Sequence, residues 1–161
     1  MKLTGYLLSA ILLLIIGSCN QAYIYENSKS VDSEGWIAND IIQFTVPIDQ
    51  LEEEFDMFLH LRHDGRYAYS NIFLFIDTYA PTGASIRDTL EFRLADKEGK
   101  WFGRGIGGQY THELAFKHKV MFPYTGNYNI EIQHGMRTER LEHIKDVGIS
   151  IKRINKSAKA K

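Results

Sequence analysis

The stretch Ile42-Gln43-Phe44-Thr45-Val46 alternates apolar and polar side chains one by one and is followed by Pro47. Successive side chains of a β-strand point to opposite faces, so this alternation predicts a strand with one buried and one solvated face. Proline has no N–H group to donate to a strand ladder, which favours a strand end near Pro47. The same two-residue period recurs along the chain more often than the helical period. The sequence therefore predicts an all-β protein.

Other strand-like runs lie on both sides of this stretch. Every second position from Met57 to Leu61 is apolar, and the Asp64-Gly65 pair that follows is typical of a hairpin turn, here into a strand at 67–70. Further strands are predicted at 23–25 as a short edge strand, 86–94, 128–132 and 147–151. Many short strands separated by turns indicate an antiparallel β-sandwich, jelly-roll-like in type. Two short helical turns are also predicted, at 49–55 and 111–118.

The run Ile72-Phe73-Leu74-Phe75-Ile76 is apolar at every position. A continuous apolar run of this length is typical of a central strand whose two faces are both covered. Turns are predicted after it at Ala80-Pro81-Thr82-Gly83 and at Asp96-Lys97-Glu98-Gly99, where proline or Asp and Gly supply the turn chemistry.

The N-terminus carries the pattern of a bacterial lipoprotein signal. Lys2 precedes an apolar run at 6–16, and the small residues Gly17-Ser18 precede Cys19, the only cysteine. The apolar run is shorter than the ~20 residues that span a bilayer, so we predict a cleaved signal peptide. Cys19 would then carry acyl chains such as palmitate, which anchor proteins to membranes at ~0.8 kcal/mol per buried CH₂. The alternative is an ordinary secretory signal with an incidental cysteine.

These features divide the chain into four parts. We predict a signal peptide at 1–18, a lipidated N-terminus and tether at 19–34, a β-sandwich domain at 35–154 and a basic, disordered tail at 155–161. The 19 basic and 20 acidic residues nearly cancel, which argues against a nucleic-acid partner. Apart from the lipid on Cys19, we expect no cofactor and no small-molecule ligand.

Three motifs that could carry chemistry have simpler explanations. The glycines at 103–108 satisfy G-x-G-x-x-G, but without a parallel βαβ context we interpret them as a tight turn. His60 and His63 point to opposite faces of a strand, so no metal site is predicted. The acidic run at 52–54 is interpreted as solvated. No catalytic residue is predicted, and we expect a non-enzymatic protein.

Two polar residues interrupt apolar faces. Asp88 has the parity of Ile86 and Leu90, and His134 that of Ile130 and Ile132. A charge on a core face is costly unless it is paired, and Arg137 is the predicted partner of Asp88. We interpret Asp88, His134 and Arg137 as a structural network or an interface. Aromatic residues at exposed parity, Phe58 and Trp101 with Phe102, are further candidates for an interface.

The chain resembles the gliding-motility lipoprotein GldH family of Bacteroidota. The motifs that carry the resemblance, in order along the chain, are Gly35-Trp36, Ser70-Asn71-Ile72-Phe73-Leu74, Pro81-Thr82-Gly83, Asp88-Thr89-Leu90, Gly99-x-Trp101-Phe102-Gly103-x-Gly105-x-Gly107, Gly126-Asn127-Tyr128, Gln133-His134-Gly135-Met136-Arg137 and Ile144-x-Asp146-Val147-Gly148. The resemblance implies a non-enzymatic lipoprotein required for gliding and for the associated type IX secretion apparatus, with envelope proteins as partners. Cys19 is the only functional position that it transfers.

The residues after Cys19 indicate the location, and the aromatic residues indicate the kind of function. Asn20-Gln21-Ala22-Tyr23 follows Cys19, whereas surface-exported lipoproteins of this phylum resemble one another in an acidic run there. This favours the periplasmic side. Asn20 is also not the aspartate associated with inner-membrane retention in other bacteria, so we expect an outer-membrane protein that faces the periplasm. The predicted role is an assembly component acting through protein–protein contacts, and the alternative is a carbohydrate-binding lipoprotein module, since aromatic platforms serve both classes.

Overall fold

The computed structural model describes residues 23–154, and every regular element in that range is a β-strand. The signal peptide, Cys19 and the basic tail at 155–161 lie outside the described residues. The strands are β1 Tyr23–Ser30, β2 Trp36–Ile37, β3 Ile42–Ile48, β4 Phe55–Asp64, β5 Asn71–Tyr79, β6 Ser85–Arg93, β7 Arg104–Ile106, β8 Gln109–Val120, β9 Gly126–His134, β10 Arg140–Leu141 and β11 Ile144–Arg153.

Two antiparallel sheets face each other, which confirms the predicted all-β sandwich. The five-stranded sheet has the order β1-β11-β4-β8-β7, and the four-stranded sheet has the order β3-β9-β5-β6. The short strands β2 and β10 form a separate two-stranded ribbon. Because β3 and β4 lie in different sheets, as do β8 and β9, the chain crosses repeatedly between the two layers.

Alternation along each strand builds the core between the sheets. In β3, Ile42, Phe44, Val46 and Ile48 are buried while the residues between them are exposed. Burying an aliphatic side chain of this size contributes roughly 1.5–3 kcal/mol relative to leaving it in water. The residues that fill the centre of the core are Leu59, Leu61, Ile72, Leu74, Ile76, Ile130, Ile132, Val147, Ile149 and Ile151, all fully buried.

The strands of the sandwich run between two ends. We call one the Tyr23 end: Tyr23 pairs with Lys152 there, and the loops 49–54, 80–84 and 121–125 connect strands. We call the other the Asp64 end, where β4 and β9 finish and the loops 65–70, 94–103 and 135–139 lie. Strand β4 runs from one end to the other over ten residues, so the domain is about 30 Å long.

The two predicted helical turns are wrong. Residues 111–118 lie inside β8, where His112 is buried and Leu114 is half-buried between exposed neighbours, so the pattern has the period of a strand. Residues 49–54 form bends that lead into β4. The mix of charged and aromatic residues in 111–118 concealed this two-residue period.

Two further boundaries differ from prediction. Residues 67–70 form no strand, because the chain after Asp64 crosses to the opposite sheet instead of folding back as a hairpin. The edge strand predicted at 23–25 extends to Ser30 and pairs with β11 along its length. The sheet therefore includes residues 23–30 of the stretch assigned to a tether at 19–34, because backbone pairing does not require apolar side chains.

Strand β5 is central, as predicted, but only one of its faces is covered. Ile72, Leu74 and Ile76 point into the core, whereas Phe73 is exposed and Phe75 is half-buried on the outer face.

Within residues 23–154 no helix is long and apolar enough to cross a membrane.

Candidate interaction surface

The outer face of the four-stranded sheet carries aromatic side chains where polar ones are the rule for a solvated face. Phe73, Phe75 and Tyr79 alternate along β5 and point away from the core, and Tyr69 precedes them in the 65–70 loop. Tyr69 is 40% exposed and Phe73 is 38% exposed. Asp77, paired with Arg87, separates Tyr79 from the other three. Single exposed apolar residues are common, but a group of neighbouring aromatic residues such as Tyr69, Phe73 and Phe75 is typical of an interaction site.

The row ends in an open groove at the Asp64 end, with a volume of about 440 Å³. We call this the distal groove. Its lining residues are Tyr69, Phe73, Gly135, Met136, Arg137 and Thr138. Aromatic, methionine and arginine side chains are the types enriched in protein–protein interfaces.

Gly135 lets the turn after β9 approach β5 closely. Its N–H donates to the carbonyl oxygen of Phe73 at 2.7 Å, which extends the ladder by one residue. A Cβ atom at position 135 would lie 2.9 Å from the Phe75 ring, closer than real Cβ contacts allow. The Met136 sulfur in turn accepts a hydrogen bond from the Phe73 N–H at 3.3 Å. The groove floor is therefore fixed by backbone contacts.

His134 supports the groove from inside. Its ring is buried, and its Nε2–H donates to the carbonyl oxygen of Trp36 at 3.1 Å. The His134 and Trp36 rings also meet edge to face, with centroids 5.3 Å apart. The Trp36 indole N–H donates to the Asp40 carbonyl at 2.8 Å. Burial lowers the pKa of His134, so it stays neutral and acts as a structural residue.

Arg137 does not pair with Asp88, so that prediction is wrong. Arg137 is exposed at the distal groove, and none of the salt bridges found within residues 23–154 includes it. The partner of Asp88 is Lys117, whose Nζ lies 2.6 Å from Asp88 Oδ1. Asp88 is on β6 and Lys117 on β8, so their ion pair joins the two sheets. Parity identified Asp88 as facing inward, but a bulge in β8 turns Lys117 inward and does not show in the sequence pattern.

Trp101 lies in a second cluster at the Asp64 end, packed against buried histidines. Its ring centroid is 4.5 Å from that of His63, and the His63 ring also stacks on those of Tyr110 and His112. Tyr67 closes the cluster with a centroid 5.4 Å from that of His63. Trp101 is therefore half-buried and mainly structural, whereas Phe102 beside it is exposed.

The two histidines share a hydrogen bond between their Nε2 atoms, 2.9 Å apart. His63 Nδ1 lies 2.8 Å from the carbonyl oxygen of Asp64, and since a carbonyl only accepts, Nδ1 carries the proton. In the neutral pair, His112 Nε2–H then donates to His63 Nε2. Burial lowers the pKa of His63, and burial together with the neighbouring imidazole lowers that of His112 to about 4.

The structure separates the histidines that invited a metal interpretation. His63 points into the sandwich, while His60 points outward and bonds the Ser150 hydroxyl at 2.7 Å. Within residues 23–154 no group of three or more His, Cys, Asp or Glu side chains could hold a metal ion.

The glycine-rich segment is a turn, as interpreted from the sequence. Gly107 and Gly108 join β7 to β8 with φ values of 60° and 78°, the left-handed geometry of a two-residue hairpin. Gly103 allows the chain to pass close to His112, because a Cβ there would lie 2.8 Å from His112 Nε2. The glycines thus pack against the histidine cluster.

Among Asp88, Trp101, His134 and Arg137, only Arg137 lies on the aromatic surface, and His134 supports it. Asp88 and Trp101 lie elsewhere. The sequence analysis missed Tyr69, Phe73 and Met136 as surface residues. A signal for Phe73 was present: a two-layer sandwich has no third layer to cover the second face of an all-apolar strand.

The fold and this surface define a small antiparallel β-sandwich domain with an aromatic groove at one end. The chain belongs to the GldH lipoprotein family, whose model matches residues 23–151. This confirms the resemblance noted from the sequence motifs.

Two curated relatives extend over nearly the whole chain. The gliding motility lipoprotein GldH of Flavobacterium johnsoniae is 31% identical over 93% of this chain and 96% of its own length. The gliding motility lipoprotein GldH homolog of Christiangramia forsetii is 30% identical over 88% of this chain and 90% of its own. Among solved structures, the chain is similar to a carbohydrate-binding module specific for non-crystalline cellulose, at 10% identity over 81% of this chain and 73% of that one. The TM-score of 0.46 is too low for that similarity to bear on function.

Proposed function

We propose that this protein is a non-catalytic, lipid-anchored envelope component that acts in gliding motility through protein–protein contacts at the distal groove. The observation that carries the proposal is the exposed aromatic row on β5, which ends in a groove lined by Tyr69, Phe73, Met136 and Arg137. The relatives are named gliding motility lipoproteins, and these names support gliding motility as the process in which the protein acts.

The groove has the properties of a binding hot spot. Its floor is held by backbone hydrogen bonds, so little conformational entropy is lost when a partner covers it. Arg137 stands at its edge with its donors unpaired by residues 23–154. A buried aromatic anchor with a bidentate guanidinium beside it is a common source of affinity at interfaces.

Location completes the proposal. Membership of a lipoprotein family supports a lipid anchor. In this proposal Cys19, the only cysteine, carries the lipid, and the domain faces the periplasm from the outer membrane. There it contacts envelope proteins of the gliding and type IX secretion machinery.

The test is crosslinking of tagged, lipidated protein in cells that glide, followed by purification and mass spectrometry. The Phe73→Thr, Arg137→Ser double variant is compared with Ile106→Ser, which removes a still more exposed apolar side chain from the β7–β8 hairpin. The wild type and Ile106→Ser should recover motility or secretion proteins and support gliding, and the groove variant should do neither. Recovery of bulk outer-membrane proteins alone by the wild type would contradict the proposal.

A carbohydrate-binding role is the second candidate. On the outer face of the same sheet, Phe75 and Tyr79 lie beside the amide side chains of Gln133 and Asn129. Aromatic faces with neighbouring amides suit sugar rings and their hydroxyl groups. Affinity of the isolated domain for a polysaccharide, lost in Phe75→Ala, would favour this role over the first.

A further inference from the structure

The position of Cys19 relative to the first strand limits how the domain can sit on a membrane. Only Asn20, Gln21 and Ala22 separate Cys19 from Tyr23, where β1 begins. However these residues are arranged, they span at most about 14 Å between the Cα atoms of Cys19 and Tyr23. Since the domain is about 30 Å long, a lipid on Cys19 holds the Tyr23 end, and not the Asp64 end, next to the bilayer.

The Tyr23 end carries exposed apolar side chains on two of its loops. Leu51 in the 49–54 loop is 46% exposed, and Met121 and Tyr124 in the 121–125 loop are 54% and 49% exposed. Tyrosine is enriched at the membrane–water interface, where its ring lies among acyl chains and its hydroxyl stays hydrated.

The outward direction of Met121 and Tyr124 is fixed by the residue between them and by the strand that follows. Phe122 is buried, with ring centroids 5.6 Å from Phe55 and 4.8 Å from Tyr128. The Tyr128 hydroxyl donates to the Tyr124 carbonyl at 3.1 Å and accepts from the Tyr124 N–H at 3.3 Å. The loop therefore cannot turn its two apolar side chains into the core.

We propose that the Tyr23 end is a membrane-contact surface, in which Leu51, Met121 and Tyr124 enter the interfacial region of the bilayer that holds the lipid of Cys19. The proposal rests on lipidation of Cys19 and is independent of what binds the distal groove. The lipid on Cys19 holds one point of the protein at the bilayer, and a second, apolar contact fixes the orientation of the domain. The sandwich then stands end-on and presents the distal groove away from the membrane.

Charge at this end predicts which lipids matter. Among the described residues, Lys119, Lys152 and Arg153 lie there together with the acidic residues Asp49, Glu52, Glu53, Glu54 and Asp56, and Arg153 Nε pairs with Glu53 at 2.6 Å. Since these residues carry no surplus of positive charge, the contact depends on apolar side chains and does not require anionic lipid.

The test uses full-length lipidated protein in phosphatidylcholine vesicles, with and without phosphatidylglycerol. Because Cys19 carries the lipid, an introduced cysteine is the only free thiol for a fluorophore. Tyr124→Cys is compared with Tyr69→Cys, a tyrosine of similar exposure in a loop at the opposite end. Quenching by nitroxide-labelled lipid should be at least about twofold stronger at position 124, in both lipid mixtures. Adding Leu51→Ser and Met121→Ser to Tyr124→Cys should remove most of that difference, while circular dichroism confirms the fold.

Three results would overturn the proposal. Equal or stronger quenching at position 69 would mean that the domain lies on its side or inverted. Absence of quenching at position 124, in vesicles that carry the protein through flotation, would mean that the end stays in water. Failure of the protein to float would show that Cys19 carries no lipid, and the geometry depends on that lipid. That result would leave the partner-capture test of the distal groove unaffected.

Discussion

His63 and His112 lie with their Nε2 atoms 2.9 Å apart inside the sandwich, on neighbouring strands of the five-stranded sheet. Each imidazole is buried, and the pair can hold one bridging proton but not two positive charges without strong repulsion. The pair therefore links the protonation state of the domain to its stability.

We expect the domain to lose stability as the pH falls from about 6.5 towards 4. The pKa of His112 is about 4 in the folded protein and near 6.5 in the unfolded chain, so the unfolded state binds more protons in that window. The contribution of His112 to the free energy of unfolding is fully present above pH 6.5 and declines below it by up to about 1.4 kcal/mol per pH unit. The pKa values of His63 and His134 are also lowered, so these residues make the decline steeper. Urea unfolding at pH 7.5 and pH 5 measures the difference.

The control for this pH effect is a substitution that removes no titrating group. His112→Gln should flatten the dependence between pH 5 and pH 7, whereas Ile106→Ser, which alters an exposed apolar side chain, should leave it unchanged. An unchanged slope in His112→Gln would show that the pair is not its source.

Lys117→Met should destabilise the domain by about 1 kcal/mol, because it leaves Asp88 half-buried between the sheets without its cation. Asp88→Asn in the same chain should recover most of the loss, since no charge is then left unpaired. Arg137→Leu should leave the free energy of unfolding within about 0.5 kcal/mol of wild type, as for other exposed residues. Chemical unfolding of the four proteins measures these values, and a large loss in Arg137→Leu would contradict the assignment of Lys117 as partner.

Gly135→Ala should cost about 1–3 kcal/mol, because the new methyl group would overlap the Phe75 ring and force it or the turn to move. Gly65→Ala is a suitable control, since its Cβ would approach Tyr110 only to 3.3 Å and its cost should be smaller. The two unfolding free energies are compared directly. If they are equal, the close approach at Gly135 does not restrict the groove.

Phe122→Ala should cost about 3 kcal/mol or more, because it removes a ring that packs on both Phe55 and Tyr128. Met121→Ala, one residue earlier and exposed, should change stability by less than about 0.5 kcal/mol. Thermal unfolding of the domain without lipid separates the two. A small loss in Phe122→Ala would mean that the 121–125 loop is not held by its buried ring.

The sequence predicted the sandwich because side-chain alternation is written directly in strands such as β3, where every second residue is buried. It failed where alternation is broken or ambiguous. A bulge in β8 brings Lys117 to Asp88, and the mix of charged and aromatic residues at 111–118 resembled a helical turn. Which residues of distant segments meet, as His63 and His112 do, depends on strand order, and periodicity does not encode strand order.

The surface was predictable only in part. The sequence analysis selected Arg137 as a partner for Asp88. The structure places Arg137 at the distal groove instead, where it lines the surface beside Met136. Phe73 carried a stronger signal, because an apolar run in a two-layer fold leaves one of its faces uncovered.

The pairing of β1 with β11 has a mechanical consequence. Tyr25 to Ser30 pair with 146–151 in continuous register. With the lipid anchor proposed on Cys19, the attachment point lies beyond the Tyr23 end, while the distal groove lies at the Asp64 end. A pulling force between anchor and groove would run along the strand axes. It would load the hydrogen bonds of β1 in shear, so that several must break together, instead of opening one after another as in a zipper. The edge strand that follows the proposed anchor is thus placed to bear tension.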